Sequence, residues 1–96
     1  MFKELDSLLH SELRLAIISL LVGAGEADFK ELKEKTGATA GNLSVQVQKL
    51  ADAGYIEVEK SFRGKYPLTT CKITEIGLQA FDNYVIALKD YLSPKK

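Results

Sequence analysis

The chain is short of several residue types that functional sites are built from. It has one cysteine, one histidine, no tryptophan and two prolines in 96 residues. A single thiol, Cys71, cannot form an internal disulfide framework or a cysteine-pair metal site, and its inward place in an alternating stretch makes it a small buried apolar residue of a cytoplasmic protein. With His10 as the sole histidine, no His pair, HExxH zinc motif or His-based triad can be assembled within one chain. His10 reads instead as a cap or surface residue ahead of the first long helix. Neither a P-loop nor a GxGxxG stretch occurs. Together these absences predict a protein that is not an enzyme and that carries no metal and no cofactor. Long apolar runs are lacking as well: Leu15 to Val22 contains Ser19 and is far shorter than the roughly 20 residues of a membrane span. No membrane association is expected, and the acidic start at Glu4 and Asp6 is unlike a secretory signal.

A surplus of one charge is also missing, since 13 Lys and Arg balance 13 Asp and Glu. Bulk charge therefore names no partner, but its distribution does. Between residues 60 and 72 stand Lys60, Arg63, Lys65 and Lys72 with no acid. That segment is the electropositive part of a chain whose remainder is net acidic, with 9 Lys and Arg against 13 Asp and Glu.

What is present is 46% hydrophobic content with 27% charged residues, the composition of one folded domain over residues 1–96. Phe2, Leu5, Leu8 and Leu9 suggest a short amphipathic helix or an ordered arm. From the N-cap Ser11, apolar residues from Leu13 to Val22 point around most of a helix, so more than one side of it must be covered. Gly23-Ala24-Gly25 ends it. Asp28 and Glu31 have capping-box spacing and open a helix to Lys35 with Phe29 and Leu32 inward. Gly37 breaks the chain, and Thr39 caps the next helix after a turn as short as a helix-turn-helix allows. There Leu43, Val47 and Leu50 form the core stripe, while Gly41, Val45, Gln48 and Asp52 lie opposite, with Asn42 and Lys49 on one flank and Ser44 on the other. Gly41 lowers helix propensity, which a close backbone approach to something would explain.

Tyr55 to Ser61 alternates with Ile56 and Val58 inward, and Cys71 and Ile73 mark an antiparallel partner. Phe62 to Pro67 forms the hairpin tip, with Gly64 permitting the turn. Thr74 caps a last helix from Glu75 to Leu92, stopped by Ser93-Pro94 and followed by a solvated Lys95-Lys96 tail. Phe81, Tyr84, Val85, Leu88, Tyr91 and Leu92 repeat along it as a seam that packs on another helix.

A helix with small and amide residues outward fits the major groove of B-DNA, where Asn, Gln and Ser can exchange hydrogen bonds with base edges. Thr39, Asn42, Ser44, Val45 and Gln48 are the candidates for groove contacts, Val45 toward a thymine methyl. Gly41 provides the close approach, and Lys49, Lys60, Arg63 and Lys65 are placed to meet phosphate.

The residues Leu13-Arg14-Leu15-Ala16-Ile17, Phe29-x-x-Leu32, Gly37-x-Thr39-x-Gly41-Asn42-Leu43-Ser44, Leu50-x-x-x-Gly54-Tyr55-Ile56 and Thr74-x-x-Gly77 occur in an order that resembles small winged-helix transcriptional regulators of the MarR and ArsR type. The likeness runs from about Leu8 to Leu92. It implies an α+β, mostly α fold: a three-helix core with a two-stranded β-hairpin wing and a long C-terminal dimerisation helix. The helix-turn-helix would span 28–53, the wing 55–73 and the dimerisation helix 75–92.

By the same resemblance the protein is a homodimer that binds double-stranded DNA at a pseudo-palindromic operator. Leu15, Ile18, Phe81, Tyr84, Val85, Leu88, Tyr91 and Leu92 would form the dimer interface. The apolar excess of the long helices, and not the resemblance, makes their interface the place where any small-molecule effector would have to bind. Gln46 and Gln48 stand where such proteins often carry His and a basic residue, so the recognition helix alone should bind modestly. Paired Cys or His ligands are absent, and metal sensing is not implied. The alternative reading is a winged-helix module that holds a protein partner in a larger assembly.

Overall fold

The computed structural model describes residues 2–93, so the expected stop at Pro94 and the Lys95-Lys96 tail lie outside the described residues. In chain order the elements are α1 (Glu12–Ala24), β1 (Glu26–Asp28), α2 (Phe29–Thr36), α3 (Ala40–Asp52), β2 (Ile56–Arg63), β3 (Tyr66–Ile73) and α4 (Glu75–Leu92). Four helices surround a three-stranded antiparallel sheet of order β1-β3-β2. This is the expected mostly helical winged fold, with one strand more than the sequence suggested.

Helix starts follow the capping chemistry. Ser11, Asp28, Thr39 and Thr74 each accept a hydrogen bond from the backbone N–H three residues on, which satisfies a donor that the first helical turn leaves free. At Asp28 the box is complete, because Glu31 also accepts from the Asp28 backbone N–H at 3.2 Å.

Helix α1 is the centre of the core. Ile17, Ile18 and Leu21 are fully buried, and the helix packs against α2, α3, α4, β1 and β3. Its apolar excess is thereby absorbed within one chain. Residues 2–9 contain no helix; they form the arm, with a turn at 7–9. That arm closes the core with Leu9, which is fully buried, and with Leu5 and Leu8 packed beside it.

The third strand, β1, pairs with β3 over Glu26↔Lys72, Ala27↔Cys71 and Asp28↔Thr70. It links the end of α1 directly to the sheet. The other hairpin partner, β2, pairs with β3 from Ile56↔Ile73 through Arg63↔Tyr66. Pairing therefore continues through the stretch expected to be the tip, and only Gly64 and Lys65 remain as a two-residue loop. Gly64 has φ 64°, and among the described residues no non-glycine residue has positive φ. This excludes a type I′ turn and leaves the arrangement with glycine first, as in type II′.

One inward assignment on the hairpin changes. Ile56 is 2% exposed as expected, but Val58 is 36% exposed. Alternation placed Val58 on the correct face, and the core does not extend that far beneath it.

The base of the hairpin is fixed by close packing against α4. A Cβ added at Gly77 would lie 2.1 Å from the Tyr55 carbonyl oxygen, so only glycine lets the two backbones meet there. Thr74 Oγ1 lies 2.6 Å from the Gly54 carbonyl oxygen and 2.9 Å from that of Tyr55, while accepting from Gly77 N–H at 3.0 Å. The Tyr55 hydroxyl in turn donates to Asp6 on the arm.

Candidate nucleic-acid interface

Helix α3 buries Leu43, Val47 and Leu50 and leaves Gly41, Asn42, Ser44, Val45, Gln48 and Lys49 exposed. Val45 is 52% exposed, an apolar side chain held out on a polar face. Around Gly41 nothing in the chain comes within 4 Å of an added Cβ, so no contact within the domain requires glycine there. The Thr39 hydroxyl is committed to its cap, accepting from Asn42 N–H at 3.2 Å.

Two amides on this face are already held by neighbours. Gln48 Nε2 donates to Asp52 Oδ1 at 2.7 Å, and Gln46 Nε2 donates to Asn42 Oδ1 at 3.1 Å. Behind them Arg14 of α1 donates through Nη1 to Gln46 Oε1 and through Nε to the Leu8 carbonyl. Neither Arg14 nor Gln46 stood out as a site residue in the sequence. Their link spans 32 positions, and no local pattern announces it.

The wing approaches α3 from one side. By the ladder register, Ile56, Val58, Lys60 and Phe62 share one face of β2, and Glu57, Glu59, Ser61 and Arg63 share the other. Lys60 joins Ser44, Gln48 and Thr69 around a cavity of about 260 Å³ between α3 and the wing. Arg63 faces elsewhere, lining a cleft of about 600 Å³ with Tyr66 and with Lys30 and Lys33 of α2. The structure thus brings Lys60 to α3 and Arg63 to α2, with Lys65 at the turn. Lys72 departs from the basic group: it lies 3.9 Å from Glu26 on β1.

Two features of the wing went unread in the sequence. Phe62 and Tyr66 are 74% and 78% exposed, flanking Arg63-Gly64-Lys65 with aromatic surface. Lys30 and Lys33 add positive charge that only the folded arrangement sets beside Arg63. In contrast, Asp52, Glu57 and Glu59 gather with Lys72 around a third cavity, of about 620 Å³, at the far end of α3. A polyanion is favoured along the α2 and wing-tip side and disfavoured at that end.

Cys71 is fully buried, and burial pushes its thiol up to about 11. It is a core residue and no thiolate at neutral pH. His10 is exposed, yet its Nδ1 lies 3.0 Å from the Tyr84 hydroxyl. Tyr84 is 4% exposed and Ile18 fully buried within the single chain; both were expected at a dimer interface, and neither has surface left to offer one. Leu15, Phe81, Val85 and Leu88 are half-buried, whereas Tyr91 and Leu92 are 45% and 72% exposed.

Residues 13–92, which contain the two helices α2 and α3 and the two-stranded wing, match a family model described as a winged helix DNA-binding domain. The chain belongs to that family. This winged-helix domain is 40% identical, over 76 residues, to an uncharacterized protein of Methanocaldococcus jannaschii, covering 79% of this chain and 83% of that protein. Its fold is similar to that of a transcriptional regulator homologue from Pyrococcus horikoshii OT3, with TM-score 0.85, 24% identity, and 91% and 86% of the two chains covered. It is also similar to Bacillus subtilis PadR, solved in complex with operator DNA, with TM-score 0.70 and 21% identity over 79% of this chain and 49% of that one. No described helix of the winged-helix domain is long and apolar enough to cross a membrane. The described residues hold no cluster of His, Cys, Asp or Glu suited to a metal ion.

Proposed function

We propose that the protein regulates transcription as a homodimer, each subunit placing α3 in the major groove and its wing along the flanking backbone of a pseudo-palindromic operator. The observation that carries this reading is the exposed polar face of α3, with Asn42, Ser44, Val45 and Gln48, beside which the wing sets Lys60, while Arg63 joins Lys30 and Lys33 in a second basic cleft between the wing and α2. Asn42, Ser44, Val45 and Gln48 read base edges, and Gly41 lets the backbone approach. About two or three phosphate contacts per subunit come from the cations Lys49, Lys60, Arg63 and Lys65, with Arg63 and Lys65 foremost and the two α2 lysines adding to the local positive field. The Thr39 hydroxyl stays with its cap, which leaves its methyl group for the groove.

Dimerisation through α4 uses a seam shifted from the one expected. Leu78, Phe81, Val85, Leu88 and Leu92 follow a 3-4 spacing and are all at least partly exposed, with Leu78 at 43%. Tyr91 stacks on Phe2 of the arm, with ring centroids 4.5 Å apart, and extends the apolar surface. An effector, where one acts, binds beside this seam. The half-sites then lie about one helical turn apart.

Anisotropy titration of the full chain with duplex DNA over a salt series tests the reading. If each subunit neutralises two or three phosphates, the log-log salt slope of a dimer is roughly −4 to −5. A complex indifferent to salt contradicts the proposal, and no binding to duplex at micromolar protein and low salt favours the protein-interaction module. Sedimentation of Val85→Glu measures the dimer: it runs as a monomer where the wild type is twice that mass.

A further inference from the structure

We infer that Asn42 reads guanine, because a relay from Arg14 through Gln46 fixes which end of its side-chain amide faces outward. The inference rests on the reading of α3 as the base-contacting helix. The amide orientations follow from chemistry. Arg14 Nη1 lies 2.5 Å from the Gln46 side chain, and a guanidinium has donors and no acceptor. The Gln46 atom facing it is therefore the oxygen, which turns Gln46 Nε2 toward Asn42 at 3.1 Å. A donor arriving there requires Asn42 to present Oδ1. Asn42 Nδ2 is left as the group that points away, with two hydrogens to give.

The first link is anchored. Arg14 Nε donates to the Leu8 carbonyl at 2.5 Å, beside the fully buried Leu9, and Gln46 is half-buried while Asn42 is exposed. The relay thus runs from the core of the domain to the surface of its reading helix.

A free asparagine suits adenine, accepting from N6 while donating to N7. With one lone pair of Oδ1 taken by Gln46 and that oxygen held toward it, Asn42 offers chiefly its amino group, which meets a second donor at adenine N6 and two acceptors, O6 and N7, at guanine. Near the N-terminal end of α3 it occupies the part of a recognition helix that reaches base edges. Arg14 and Gln46 are positioning residues for it: neither needs to touch DNA.

Selection of bound sequences from a randomised duplex library by the full chain tests the relay. Wild type is expected to enrich guanine at one position per half-site by on the order of tenfold over adenine, and Asn42→Ala to lose that preference. In Gln46→Glu the carboxylate still accepts from Arg14 but has nothing to donate. Asn42 must then turn its Nδ2 inward and present Oδ1, so the same position shifts to cytosine or adenine, whose amino groups donate. Gln46→Leu removes the relay and frees Asn42, so the preference at that position moves from guanine to adenine. Each variant is checked for a cooperative melting transition before selection.

An unchanged guanine preference in both Gln46 variants, at a position that still depends on Asn42, overturns the relay while leaving DNA reading intact. A wild-type motif untouched by Asn42→Ala overturns the role of Asn42 alone. No enriched motif for wild type overturns the reading of α3 and the relay with it.

Discussion

The base and the tip of the wing belong to one continuous ladder and differ in nearly every other respect. At the base, Ile56 and Cys71 are 2% and 0% exposed, Gly77 meets the Tyr55 carbonyl, and Thr74 ties strand to helix. At the tip, every side chain from Glu57 to Pro67 is exposed, including two aromatic rings and three cations. The hydrophobic effect therefore acts on one end of the hairpin. Backbone pairing alone carries the other end away from the core, so its residues are free to be set by what they touch. Folding and binding should separate along a single pair of strands.

The strongest challenge to that separation is Gly77→Ala. Its new methyl meets backbone oxygen, which cannot swing aside, and a loss of roughly 3 kcal/mol is expected. For a chain of this size the melting temperature should fall by roughly 10–20 °C, while the fraction that stays folded binds DNA with wild-type affinity. Calorimetry paired with active-site titration measures both. An equal loss of affinity per folded molecule would join the two ends again.

The converse substitution is Arg63→Ala with Lys65→Ala. Exposed cations away from any cap change stability little, yet the dimer loses four phosphate contacts and its salt slope should drop from roughly −5 to roughly −2. Binding should weaken alike for all sequences. A fall in melting temperature comparable to that of the glycine variant would show that the tip also supports the fold.

Phe62→Ser with Tyr66→Ser probes the exposed rings. If they lie against sugar edges in the minor groove, as apolar side chains of minor-groove binders do, affinity falls by roughly fivefold, about 1 kcal/mol, with the transition temperature nearly unchanged. Affinity equal to wild type would confine the tip's contribution to its charge.

The smallest effect is at the base and depends on pH. Burial first, then the hydrogen bond to Asp6 and its charge, raises the Tyr55 hydroxyl from 10.0 to about 12. Folding therefore favours the neutral phenol. That contribution is complete below pH 10 and lost as pH rises through 12. Melting temperatures between pH 10 and 12 should fall less steeply for Tyr55→Phe than for wild type; parallel curves would remove Tyr55 from the alkaline transition.

Local periodicity and capping chemistry made most of the fold legible. The stripe Leu43, Val47 and Leu50 and the caps Asp28, Thr39 and Thr74 are decided within a turn or two of helix. Features decided by distant partners were not legible. Glu26-Ala27-Asp28 is too short to alternate, and it became a strand because Thr70 to Lys72 offered an edge. Ile18 and Tyr84 carried apolar surface whose destination no pattern specifies; the arm and the crossing of α1 with α4 claimed it inside the chain. The exposed face of α3 was visible as a row of residue types. The direction of its Asn42 amide was not, since that depends on Arg14, 28 residues earlier in the sequence.

The outer strand of the sheet has a further consequence for how the molecule behaves when crowded. β2 lies at the edge of the order β1-β3-β2, eight residues long and exposed beyond Ile56. Such an edge is a template for another copy's strand, the first step toward aggregation. Here Glu57, Glu59, Lys60 and Arg63 punctuate it, so docking of a second β2 would require desolvating charged side chains. The exposed strand of the wing is thereby guarded against edge-to-edge growth into fibres.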